Sequence, residues 1–260
     1  GAKESSTDLY FDWVAIGENG VEERIATGQM GTTWVEIKDH GIVVPAEFPP
    51  EYKTFINRMI PKNSDETTLI PAPEPLKDLD VGEEVFCAQD GPRTAITLAD
   101  NLYSTGLTNS NLVGNLYFGN YSSWMGNLRD KFLHDINPSL FRGIGEKGEL
   151  RCTNCEIQHL REAMPFDKIR VTMGLKKLWN RGMELYFEFY KENADGSLDK
   201  LAYGHHTAVW SEQGANGETQ SSKIPDEIMV VLLEKIQTRL SDFLVSSNTI
   251  EPELDLGATQ

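Results

Sequence analysis

Asn109-Ser-Asn-Leu-Val-Gly-Asn-Leu-Tyr-Phe-Gly-Asn-Tyr-Ser-Ser-Trp-Met-Gly-Asn-Leu-Arg129 is the stretch whose reading decides the fold. Its first half is polar, and asparagine is a poor interior helix former that favours caps and turns, so Asn111, Asn115 and Asn120 mark a loop. Past Gly119 the spacing changes. Tyr121, Trp124, Leu128 and Phe132 recur at helical intervals, with Leu133 beside them, which predicts a helix that buries one face. A helix starting near Asn120 would aim free backbone N–H groups at whatever lies before it, where a developing oxyanion could be held.

A second signal is internal repetition. Sliding the chain by 176 positions aligns Leu9–Glu51 with Leu185–Glu227 without a gap. Leu9-Tyr-Phe-Asp-Trp13 falls on Leu185-Tyr-Phe-Glu-Phe189, and Gly20, Gly28, Trp34 and Pro49 fall on Gly196, Gly204, Trp210 and Pro225. Identities that include Trp and Pro in one unbroken register predict two related units in one polypeptide.

Bulk composition narrows the class. At 260 residues the chain can form two domains of ordinary size. No apolar run approaches the roughly 18 residues of a membrane span, and the first residues lack the apolar core of a secretory signal. Three cysteines fit a reducing compartment without a disulfide framework, so a cytoplasmic protein is expected. A net charge of −16 argues against nucleic acid as a partner. Lys168, Arg170, Lys176, Lys177 and Arg181 form the one basic concentration; they read either as a solvated strand and turn or as a dock for an acidic carrier protein.

Along the chain, strands are expected at 8–16 and 24–37 and a short helix at 51–59. Residues 61–92 read as a Pro-rich linker. A strand near 93–100 precedes the motif, four strands follow it (150–161, 168–179, 183–190, 200–210), and a helix opened by Pro225 runs to about Leu244. The pattern is α+β: residues 1–60 a partial unit, 93–246 a complete one carrying the site, and 247–260 a tail.

These residues resemble the hot-dog thioesterases, in which an antiparallel sheet wraps a long central helix, and within them the enediyne-type polyketide thioesterases. The resemblance rests on Ser110 to Tyr121, on Trp124-Met-Gly126 and Arg129, and on Leu160-Arg-Glu-Ala-Met-Pro-Phe-Asp167, and it spans about residues 93–245. It implies a hot-dog protein that hydrolyses an acyl thioester on an acyl carrier protein or coenzyme A; the internal repeat makes this chain a double hot dog with an incomplete first unit, in which it departs from the family. It implies Asn111, Tyr121 and Arg129 as catalytic positions, with Asn115, Tyr117, Asn120 and Trp124 lining the substrate. No cofactor or metal is implied beyond the phosphopantetheine that the substrate carries. A facing hot dog would come from the repeat or from a second chain in a homodimer.

Relatives with an Asp-x-Asp-x-x-Gly-His pattern use a carboxylate there. This chain has Asn109, Asn111 and Asn115 at those places, so polarisation of the carbonyl by amide, guanidinium and helix N–H groups is the expected mechanism, with Tyr121 orienting water or the leaving thiolate. A dehydratase, cyclase or acyltransferase on the same fold, or a non-catalytic acyl-binding scaffold, are the rival readings.

Other patterns carry less. Cys152-x-x-Cys155 is a lone pair without a second pair at zinc spacing. Gly143-x-Gly-x-x-Gly148 precedes a strand instead of opening a helix, which excludes a dinucleotide loop. His205 and His206 fall on opposite faces of a strand, and no Gly-x-Ser-x-Gly elbow occurs.

Overall fold

The computed structural model describes residues 5–38, 43–59, 79–88, 95–141, 148–215 and 218–247. The chain divides into two compact units, Gly1–Asp78 and Leu79–Gln260.

The second unit is a seven-stranded antiparallel sheet with a central helix. In chain order it holds β5 (Glu84–Cys87), β6 (Ile96–Ser104), α2 (Gly119–Ile136), β7 (Glu149–His159), β8 (Lys168–Trp179), β9 (Gly182–Glu192), β10 (Leu198–Gln213), β11 (Thr219–Ser221) and α3 (Asp226–Ser247). Strands β8, β9 and β10 form the middle; β5 and β6 pair with β8 on one side, and β7 and β11 pair with β10 on the other. Helix α2 turns Tyr121, Trp124, Met125, Leu128 and Leu133 into the core, the stripe that its 3.6-residue period predicts. From the sheet, Val171, Met173, Leu175, Leu185, Phe187 and Phe189 meet that stripe. Burying side chains of this size stabilises by about 1.5–3 kcal/mol each.

One boundary differs from expectation. Residues 84–87, placed in the linker by their charged surroundings, form strand β5, because Phe86 packs against the core while Cys87 pairs with Lys177. Most of the expected linker and tail, and the glycines at 143 and 145, lie outside the described residues. No described helix is long and apolar enough to cross a membrane.

The first unit reproduces the end of the second. Strands β1 (Ser6–Ile16) and β2 (Glu22–Thr33) form a hairpin, β3 (Val35–Ile37) pairs with β4 (Val43–Pro45), and α1 covers Pro50–Met59. Moved by 176, the bounds of β1 fall on β9, those of β4 on β11, and the starts of β2 and α1 on those of β10 and α3. The register follows. Trp13 pairs with Ala26 and Val14 with Arg24, so Ile25 bulges; Phe189 pairs with Ala202 and Tyr190 with Lys200, so Leu201 bulges at the matching place. Gly20 and Gly196 close both hairpins at φ +75 and +82, a left-handed turn conformation that glycine adopts without strain. Trp34 and Trp210 accept from the N–H of Ala46 and Ser222 in the same way.

What differs is coverage. Among the described residues the first unit has no counterpart of α2, and Phe11 is 38% exposed where its duplicate Phe187 is 0%. Phe187→Ala is therefore expected to cost about 3–5 kcal/mol. Phe11→Ala should cost less than about 1 kcal/mol, because it opens no cavity. Urea midpoints of the two variants check this.

Candidate active site

The asparagines of the motif build the loop that delivers the chain into α2. Asn111 N–H donates to the Asn115 carbonyl (3.0 Å), and Asn111 Oδ1 accepts from Val113 N–H (2.8 Å) and Gly114 N–H (3.1 Å), a side chain substituting for a backbone turn. Asn120 Nδ2 donates to the carbonyls of Asn109 (2.6 Å) and Tyr117 (2.9 Å), which ties the loop's start to the helix. Asn120 N–H donates to Tyr117 O and Tyr121 N–H to Phe118 O, so two of the backbone donors expected to face the site are already engaged.

Tyr121 enters the core from the first turn of α2 and is 2% exposed. Its ring meets His159 edge-on at 4.7 Å and Phe189 at 5.0 Å. Burial, then the charges of Glu162 and Asp167, push its pKa well above the usual phenol value, so it remains a hydrogen-bond donor. His159 is held below the ordinary imidazole value by burial, partly opposed by Glu162. Asn115 Nδ2 donates to Glu162 Oε2 at 2.5 Å, while Asn115 Oδ1 is buried without a partner among the described residues. Trp124 packs into the core and stacks on Tyr103. Tyr117 and Phe118 stay half-exposed with their rings 4.6 Å apart, and Leu107, Leu112 and Phe166 are exposed as well.

Arg129 stands apart from this group. It lies two turns on from Tyr121, about 12 Å along the axis at 1.5 Å per residue. Its side chain is 15% exposed, clear of bulk solvent, and it contacts Asp130 (2.7 Å) and His206 Nε2 (3.2 Å). A guanidinium can only donate, so His206 Nε2 accepts and the ring proton sits on Nδ1, which is buried without a partner among the described residues. A cavity of about 230 Å³ opens at this end, lined by Arg129, Asp130, Leu133, Leu150 and Trp210. The structure thus groups Asn115 and Tyr121, sets Asn111 in the adjoining loop, and places Arg129 at a second station.

Two residues escaped sequence reasoning as chemistry. Glu162 appears in the motif Leu160–Asp167, and His159 precedes it by three; both act on Tyr121 only because β7 ends beside the first turn of α2. Among the basic residues noted above, Arg170 pairs with Asp100 and Glu192, Lys177 with Glu184, and Arg181 with Asp80. Cys152 and Cys155 are free thiols, Cys152 with its pKa pushed up to about 11 by burial and then by Cys155.

Residues 105–232, which span this loop, the helix and most of the sheet, match the model of the thioesterase-like superfamily. The second unit resembles that family along the loop, the helix and most of the sheet. Its class of activity is thioester hydrolysis. Among solved structures, the thioesterase-like unit is similar to a dynemicin thioesterase at 25% identity, with 54% of this chain and 96% of that one covered and a TM-score of 0.49. It is also similar to the 4-hydroxybenzoyl-CoA thioesterase from Pseudomonas sp. strain CBS-3, at 11% identity over 50% of this chain and 96% of that one, with a TM-score of 0.46. No curated protein matches the chain.

His206 supplies a test of the Arg129 station. Burial and then Arg129 lower its pKa from the usual 6.5 to about 4. An unfolded chain binds this proton below pH 6.5, and the folded one does not until about pH 4. The stability it contributes is complete above pH 6.5 and falls by about 3 kcal/mol on descending to pH 4. His206→Gln, which can still accept from Arg129, should flatten that part of the stability–pH profile measured by urea unfolding.

Proposed function

We propose that the thioesterase-like unit hydrolyses an acyl chain held on phosphopantetheine, of either coenzyme A or an acyl carrier protein, with a polyketide as the acyl chain. The observation that carries this is the buried phenol of Tyr121 in the first turn of α2, which burial keeps protonated, just after the half-exposed Tyr117 and Phe118. The resemblance of residues 110–129 to the enediyne-type thioesterases supports the polyketide chain.

In this reading the thioester enters past Leu112, Tyr117 and Phe118, and its carbonyl oxygen accepts from the Tyr121 hydroxyl. Asn111 spends its oxygen on the loop, which leaves its amide N–H₂ as the second donor. As water adds, charge grows on that oxygen and both hydrogen bonds strengthen, which lowers the barrier. Collapse of the tetrahedral adduct breaks the C–S bond and releases the thiol. Arg129 works at long range. At about 12 Å it adds positive potential and anchors the middle of α2 through His206, without touching a carbonyl held at Tyr121.

The neighbouring His159 and Glu162 give a specific reason to weigh dehydration, which uses an imidazole and a carboxylate. Thiol release separates the two. Acyl-CoA and acyl-carrier substrates should yield free thiol with wild type, and Tyr121→Phe should lower kcat by about 10²–10³. Loss of water from a hydroxyacyl substrate without thiol release would overturn the proposal.

A further inference from the structure

Two carboxylates flank Tyr121, and the structure uses them differently. Asp167 is spent on the fold. Its Oδ2 accepts from Met164 N–H (2.9 Å), its Oδ1 holds Lys191 Nζ (2.8 Å), and it closes the turn in which Phe166 takes a left-handed φ of +75. Glu162 is not. It is exposed three residues past the end of β7, and Asn115 Nδ2 fixes only its Oε2. Among the described residues Oε1 has no hydrogen-bond partner.

Asn115 makes the pairing informative. Its amide links two chain segments 47 residues apart, yet its Oδ1 is buried without a donor. With no accessible surface that oxygen is closed to water, so Asn115 acts here through its amide N–H₂, which holds the carboxylate by Oε2. A water that donates one hydrogen to the free Oε1 of Glu162 keeps its lone pairs for the thioester carbon.

We propose that Glu162, oriented by Asn115, is the general base that activates the hydrolytic water. This rests on the thioesterase reading above and supplies the carboxylate that Asn109 and Asn111 withhold. Glu162 removes one proton as the water oxygen bonds to the thioester carbon. The carbonyl π pair moves onto the oxygen held by Tyr121, then returns as the C–S bond breaks. The thiolate leaves with the electron pair, and the protonated Glu162 returns the proton to sulfur. One thioester and one water become one carboxylic acid and one thiol.

Glu162→Gln tests the base while keeping the support, because the Gln amide oxygen still accepts from Asn115. kcat should fall about 100-fold, within the range for a lost general base, with KM changed less than twofold. Glu162→Ala should fall similarly and recover with added formate, which a merely structural carboxylate would not show. The acid limb of the pH–kcat profile should vanish in both variants. The other titratable groups facing this carboxylate are His159 at the end of β7, Tyr121 on α2, and Asp167, with Lys191 of β9 paired to it. His159→Gln is therefore run in parallel and should keep the acid limb. A Glu162→Gln enzyme within threefold of wild type, or an acid limb that disappears with His159 instead, overturns the base while thiol release by wild type leaves the thioesterase reading standing. Wild type that releases no thiol from any substrate overturns both.

Discussion

The burial of one stripe of α2 against the sheet is the constraint on which the rest of the second unit depends. Tyr121, Trp124, Met125 and Leu128 occupy successive turns of one face, and Phe187 and Phe189 rise from β9 to meet them. Gly204 of β10 is part of this fit: a Cβ there would come within 2.7 Å of the Glu156 carbonyl and 3.4 Å of Met125 Sδ. Because the helix is clamped along its length, its first turn and its middle become fixed stations. The loop of asparagines then needs only to enter the helix at the right angle, which its side-chain-to-backbone hydrogen bonds ensure.

Those stations differ in character. At the first turn a buried phenol lies edge-on to an imidazole and within the field of a carboxylate. At the middle, Arg129 is neutralised by Asp130 and supported by an uncharged His206, in a place that water reaches poorly. The donor to carbonyl chemistry and the permanent positive charge thus belong to separate positions along one rod. A mechanism that needs both must use the second through its field.

Much of this was legible in the sequence. The helix from Gly119, the strand limits at 168 and 179, and the hairpin turns at Gly20 and Gly196 follow from periodicity and glycine placement, which are local properties. Strand β5 was hidden because four residues among charges carry no periodicity, and only the seat of Phe86 reveals it. The site was half legible. Asn111, Tyr121 and Arg129 stand out by residue type, but helical spacing alone suggests a common face and says nothing of the two turns between Tyr121 and Arg129. His159 and Glu162 belong to a strand end whose neighbour across the fold is Tyr121, and linear sequence does not encode that proximity.

The paired bulges at Ile25 and Leu201 are the kind of irregularity that two unrelated hairpins would not acquire independently. They read as an inherited scar of tandem gene duplication, kept after most side chains had diverged. The copies then solved one steric problem in two ways: Met125 approaches Gly204, whereas the indole of Trp13 folds over Gly28, its ring 2.8 Å from where a Cβ would stand.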